Sequence, residues 1–165
     1  MLLQKLLLED DILGFLAVVL KAMHNIPYDA TKNIRRFEDH LHSTVHTLLW
    51  MCCPRSVGFD SGTKNQVGKL DVVIVTKKYR HYLELKAKKG DSPAGALQQI
   101  TDKRYTLAFP RTSQGQQLPA FRYGIKWSDK STHAVVEVVA EAGGQATDLW
   151  KTKLSLTEGR HTISG

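Results

Sequence analysis

An α/β domain with a mixed central β-sheet flanked by α-helices is the fold class this sequence predicts, and three observations predict it. Two early segments carry apolar residues at helical spacing, short β-branched and aromatic runs follow, and a further helical segment interrupts those runs. At 165 residues and 42% hydrophobic, the chain suits one globular domain with a substantial core.

The first helix is expected over 10–24, ending before Pro27. Ile12, Leu13, Phe15, Leu16, Val18, Val19 and Met23 leave it apolar on nearly all sides, which implies burial. Glu9, Asp10 and Asp11 suit a first turn, where the dipole favours negative charge. They also stand where a signal peptide would carry a small-residue cleavage site. A second helix is expected from 31 or 33 to 53, stopped by Pro54, with Leu41, Val45, Leu48 and Cys52 as its apolar stripe. Glu38 and His42 lie one turn apart beside that stripe. A strand over 55–59 and a turn-rich loop through Asp60, Ser61 and Gly62 come next.

Residues 67–76 (VGKLDVVIVT) and 80–87 (RHYLELKA) are short and rich in β-branched or aromatic residues, and read as a hairpin joined through Lys77 and Lys78. A third helix over 93–109 carries Ala96, Leu97, Ile100 and Leu107 inward. Residues 113–118 are polar loop, and 121–127 and 133–139 are two more strands. Residues 141–165, rich in Gly, Thr and Ser, read as a polar tail.

The hairpin carries the chemistry. A two-residue turn at Lys77-Lys78 sets Asp71 opposite Glu84, and a four-residue loop sets it opposite Lys86. Either way, strand periodicity puts Asp71, Glu84 and Lys86 on one face; only a three-residue loop separates them. Opposed Cβ atoms lie about 5 Å apart, so the three groups would reach one small cation. A cross-strand ion pair on a solvated face is the simpler explanation. Against it, Val72, Val73, Ile74 and Val75 form an unalternating apolar run that suggests a strand covered on both faces. Two acids in such a strand repel one another unless a cation or a function holds them.

This spacing resembles the D…ExK core of the PD-(D/E)XK nuclease superfamily. The order of ILGFLAVVLKAMHNIPY at 12–28, Glu38 with His42, GKLD, ELK, ALQQI and the later Tyr105 is similar to the branch usually found C-terminal to an AAA-type ATPase-like domain. The resemblance spans about residues 13–127. Lys69 stands where the family commonly has arginine.

The resemblance implies a restriction-endonuclease-like fold and a metal-dependent nuclease that hydrolyses phosphodiester bonds, in DNA rather than RNA. Asp71, Glu84, the Leu85 carbonyl and Glu38 would serve a Mg²⁺ ion, with Mn²⁺ as a substitute. Lys86 would orient a water or neutralise a phosphoryl oxygen. Gln99 would contact Lys86 or the phosphate backbone, and Lys88, Lys89, Lys103, Arg104 and Tyr105 would form a backbone-binding edge. His42 is expected to support its helix. Residues 29–140 would be the nuclease-like domain. Residues 1–28 would be an N-terminal helix, either a connection to an upstream ATPase-like domain or a cap. A catalytically inactive module that binds nucleic acid or a protein partner is the alternative, against which the intact Asp71, Glu84 and Lys86 argue.

Composition agrees. A net charge of +7 favours a polyanionic partner. The only two cysteines, Cys52 and Cys53, are adjacent and poorly placed for a structural bridge, so a reduced, cytoplasmic setting is expected. The longest apolar stretch, 12–20, is far short of the roughly 20 residues a membrane span needs. Monomer and homodimer remain open. Residues 62–70 (GTKNQVGKL) resemble a phosphate-binding loop but have one residue too many before Gly-Lys and end in Leu. His42 and His46 have zinc-ligand spacing without the glutamate of HExxH. Trp50, Trp127 and Trp150 are expected in core or interface.

Overall fold

The computed structural model describes residues 2–24, 34–61, 70–88, 90–103, 118–130, 133–142, 149–157 and 160–164, and the side chains of 2–19, 21–22, 39–59, 70–88, 90–103 and 118–127 among them. Helices α1 (Leu2–Leu8), α2 (Ile12–His24) and α3 (Ile34–Cys52) precede strands β1 (Gly58–Ser61), β2 (Val72–Val75) and β3 (Arg80–Lys86). Helix α4 (Pro93–Asp102) then leads to β4 (Ala120–Lys130), β5 (His133–Ala142), β6 (Leu149–Thr157) and β7 (Arg160–Ser164). The strands form a seven-stranded sheet in sequence order. Its pairs are antiparallel except β3 with β4, which run parallel. Parallel neighbours need a crossover, and α4 supplies it. This is an α/β architecture with a mixed sheet.

Strand parity divides the core. Val72, Ile74, Leu83, Leu85, Tyr123, Ile125 and Trp127 share one buried cluster with Leu7, Phe15, Val19, Leu41, Val45 and Leu49 of the first three helices. On the opposite face, Val73 and Tyr82 pack with Leu70 and with Leu97 and Ile100 of α4. The run at Val72, Val73 and Ile74 is therefore covered on both sides, as its lack of alternation predicts.

Three expectations need correction. The N-terminal segment is two helices rather than one, broken at Glu9–Asp11. Asp11 Oδ1 accepts the Gly14 N–H at 2.8 Å and so caps α2, while Asp10 takes a left-handed φ of 61°. Both helices contribute to the sheet-facing core, through Leu7, Ile12, Phe15, Leu16 and Val19. The strand expected at 55–59 starts at Gly58, after a turn closed by Val57 N–H on Pro54 O, and it includes Asp60 and Ser61. The expected polar tail supplies β6 and β7. LWKTKLSLT of β6 alternates with period two, a strand signal that the surrounding Gly and Thr obscured.

α4 starts where Ser92 caps it, its side chain accepting from Gly95 N, with Pro93 in the first turn. Its N-terminus sits directly on β4 because Gly124 has no side chain. A Cβ there would run into the Pro93 carbonyl oxygen and lie 2.8 Å from Leu97 N. The last part of the helix expected over 93–109, including Leu107, lies outside the described residues. Among the described residues, no helix is long and apolar enough to cross a membrane.

Candidate active site

The hairpin takes the two-residue-turn register. Val75 faces Arg80 and Val72 faces Leu83, which continues to Thr76 opposite Tyr79 and Asp71 opposite Glu84. Thr76 fixes this turn: its N–H donates to Tyr79 O at 2.9 Å and its hydroxyl oxygen accepts from Lys78 N and Tyr79 N. Asp71 and Val73 therefore share a face with Tyr82, Glu84 and Lys86, the face covered by α4.

Glu84 is the centre of this face. It is 2% exposed, and its Oε1 accepts from Lys86 Nζ at 2.9 Å and from Gln99 Nε2 of α4. Among the described residues, its Oε2 is buried without a hydrogen-bond partner. Burial and the Asp71 carboxylate raise the Glu84 pKa to about 7, although Lys86 and the more distant Lys103 pull it down. Asp71 is anchored through Oδ2, which accepts the Leu85 N–H at 2.7 Å and lies 3.5 Å from His42 Nε2.

Leu85 is thus tied to Asp71 by its amide, while its side chain belongs to the core on the other face. Gln99, expected on Lys86 or on phosphate, donates to Glu84. The Lys86 ammonium and the Gln99 amide meet one carboxylate oxygen because β3 and α4 are pressed together over Gly124, which is paired with Glu84 across the parallel ladder. Lys126 secures the connection between β3 and α4 by donating to Lys88 O at 2.7 Å and Asp91 O at 2.8 Å.

The remaining expected residues are dispersed. Glu38 lies on α3 one turn before His42, but its side chain is outside the described ones. Lys88 is exposed on the loop before α4, and its N–H donates to Asp91 Oδ2. Lys103 ends α4 as its C-cap. Lys89, Arg104, Tyr105 and Lys69 lie outside the described residues, as do 62–69 of the rejected phosphate-loop motif.

His42, expected to serve only its helix, is the residue whose place sequence reasoning undervalued. Its signal was the four-residue spacing from Glu38. Of the tryptophans, Trp127 is buried, Trp50 is 75% exposed with its ring edge to Phe59, and the side chain of Trp150 is outside the described ones. Cys52 and Cys53 are both free thiols; burial and the neighbouring Cys52 push Cys53 up to about 11.

The donor set suits a hard cation. Magnesium takes one or two carboxylates and keeps several waters. Asp71 and Glu84 are two such groups on one face, and Glu84 Oε2, without a partner among the described residues, is an oxygen whose burial a cation would compensate. Among the described residues, no group of three or more His, Cys, Asp and Glu is gathered for a metal. Comparison with protein-family models, curated proteins and solved structures gave no match for this chain.

Proposed function

We propose that this chain is a metal-dependent nuclease with a restriction-endonuclease-like fold that hydrolyses phosphodiester bonds, with DNA as substrate. The observation that carries this reading is the buried Glu84 carboxylate facing Asp71 across the hairpin, with Lys86 on one of its oxygens and, among the described residues, no hydrogen-bond partner on the other. Two carboxylates held together at that burial repel one another, which is unfavourable for a purely structural pair.

Asp71 and Glu84 would hold Mg²⁺ or Mn²⁺, with Glu38 of α3 as a further acid. When bound, the ion lowers the pKa of a coordinated water and offsets charge on the phosphoryl group. Lys86, whose ammonium already sits at Glu84, would donate to a phosphoryl oxygen or orient the attacking water. Gln99 fixes the direction of the Glu84 carboxylate, and the Leu85 amide with His42 fixes that of Asp71. Lys88, Lys103 and the net charge of +7 would supply phosphate-backbone attraction.

Incubation with plasmid DNA, linear DNA and RNA in Mg²⁺ or Mn²⁺, with EDTA controls, tests the reading. Metal-dependent cleavage of DNA, stopped by EDTA, is expected. Absence of cleavage on all three substrates, with nucleic-acid binding retained, contradicts it and favours the inactive binding module.

A further inference from the structure

The sheet face opposite Asp71 and Glu84 holds a second cluster that the proposed nuclease chemistry does not use. A cavity of about 220 Å³ opens between the α1–α2 connection and the sheet, lined by Tyr79, His81, Phe121 and Tyr123 on one side and by Asp10 and Asp11 on the other. Ile12 and Leu13 close its remaining wall. The four rings form a continuous shelf. His81 stacks on Phe121 at 5.6 Å and 9°, Tyr79 meets Phe121 edge-on at 5.1 Å, and Tyr123 lies 5.8 Å from His81.

The polar groups are ordered as a chain. His81, 1% exposed, has Nε2 3.4 Å from Asp10 Oδ1 and Nδ1 3.1 Å from the Tyr123 hydroxyl. Burial lowers the His81 pKa, and burial with the nearby Asp10 and Asp11 raises that of Tyr123, so both rings are neutral. The arrangement suits an Nε2–H donated to Asp10 and a Tyr123 O–H donated to Nδ1. The cavity thus presents π-faces and two carboxylates, and among the described residues neither lysine nor arginine lines it, in a chain whose net charge is +7. Aromatic faces beside carboxylates attract a cation with an apolar body and repel anions such as phosphate.

We propose that this cavity binds a small organic cation of the methylated or quaternary ammonium class, its alkyl groups over the rings of Tyr79 and Phe121 and its charge toward Asp10 and Asp11. This site is independent of the nuclease reading, because it lies on the other face of β3 and β4 and shares no residue with Asp71, Glu84 or Lys86.

The test is an NMR or calorimetric titration of the full chain with choline beside 3,3-dimethylbutan-1-ol, its neutral isostere. Saturable binding of choline is expected, with the isostere weaker by about tenfold or more. Tyr79→Leu, at a partly exposed turn position, and Asp10→Asn, which keeps a residue type that accepts the left-handed φ, should each weaken choline about tenfold. A trimethyllysine peptide in a parallel titration distinguishes a side chain from a free cation as the source, and saturable binding of either supports the site. Absence of saturable binding by both cations, or equal binding of choline and its isostere, overturns the proposal. Unchanged affinity in both folded variants overturns it as well, and the wild-type comparison of charged with neutral ligand needs no variant to fold.

Discussion

Replacing Glu84 by glutamine should make the metal-free protein more stable above neutral pH while destroying its proposed activity. The carboxyl is 2% exposed and its pKa is raised from the ordinary 4.5 to about 7 by burial and by Asp71. A raised acid holds its proton in the folded state where the unfolded chain has already released it. Its stabilising contribution is therefore full below about pH 4.5 and is lost as pH rises through about 7. Each pKa unit corresponds to about 1.4 kcal/mol, so ionising Glu84 in place costs about 3 kcal/mol. Glutamine keeps the shape and the Gln99 contact without the charge. That cost is already net of the attraction to the one-fifth-exposed Lys86, so the variant should gain about 3 kcal/mol. At about pH 8.5 in EDTA, Glu84→Gln should melt about 6–12 °C above the wild type, and at about pH 5 the two should nearly coincide. Thermal unfolding followed by circular dichroism across that range reads the difference. A pH-independent gap, or a variant less stable than wild type at the alkaline end, would refute the reasoning that Glu84 is held against its charge.

Further predictions concern the same face. Mn²⁺ at about a hundredfold excess over its Kd should stabilise the wild type by about 3 kcal/mol, and Asp71→Ala should lose that shift, as differential scanning fluorimetry would read. Lys86→Ala should abolish cleavage yet leave DNA affinity within about threefold in a fluorescence-anisotropy titration, since many phosphate contacts share the binding. Gly124→Ala should cost about 1–3 kcal/mol in urea unfolding, because the added carbon meets the Pro93 carbonyl and must push α4 and Gln99 away from Glu84.

The site was more legible in the sequence than the sheet that carries it. Asp71, Glu84 and Lys86 share a face because strand parity is insensitive to any even loop length, so their grouping did not depend on choosing the turn correctly. The two-residue turn found here was one of the alternatives, selected by the Thr76 hydroxyl, whose local hydrogen bonds periodicity does not reveal. Gln99 was placed on the right helix, but its bond to Glu84 was not legible, because that contact depends on how closely Gly124 lets α4 approach. The break at Asp10 was hidden by continuous apolar periodicity on both sides of three acids, one of which is a cap rather than a first-turn charge. β6 and β7 were missed because turn-forming residues around them outweighed a short alternating run. The Asp10–His81–Tyr123 chain joins residues 71 and 42 positions apart, a pairing that only the assembled sheet and helices bring together.

Cleavage of plasmid DNA in Mn²⁺ by wild type and by Asp71→Asn, purified side by side, tests the central claim most directly. The wild type is expected to nick or linearise the plasmid, and the variant to be slower by about a thousandfold, the several kcal/mol that loss of the ion removes. Equal cleavage by both preparations would mean that the activity does not belong to the Asp71–Glu84 pair, and would contradict the account.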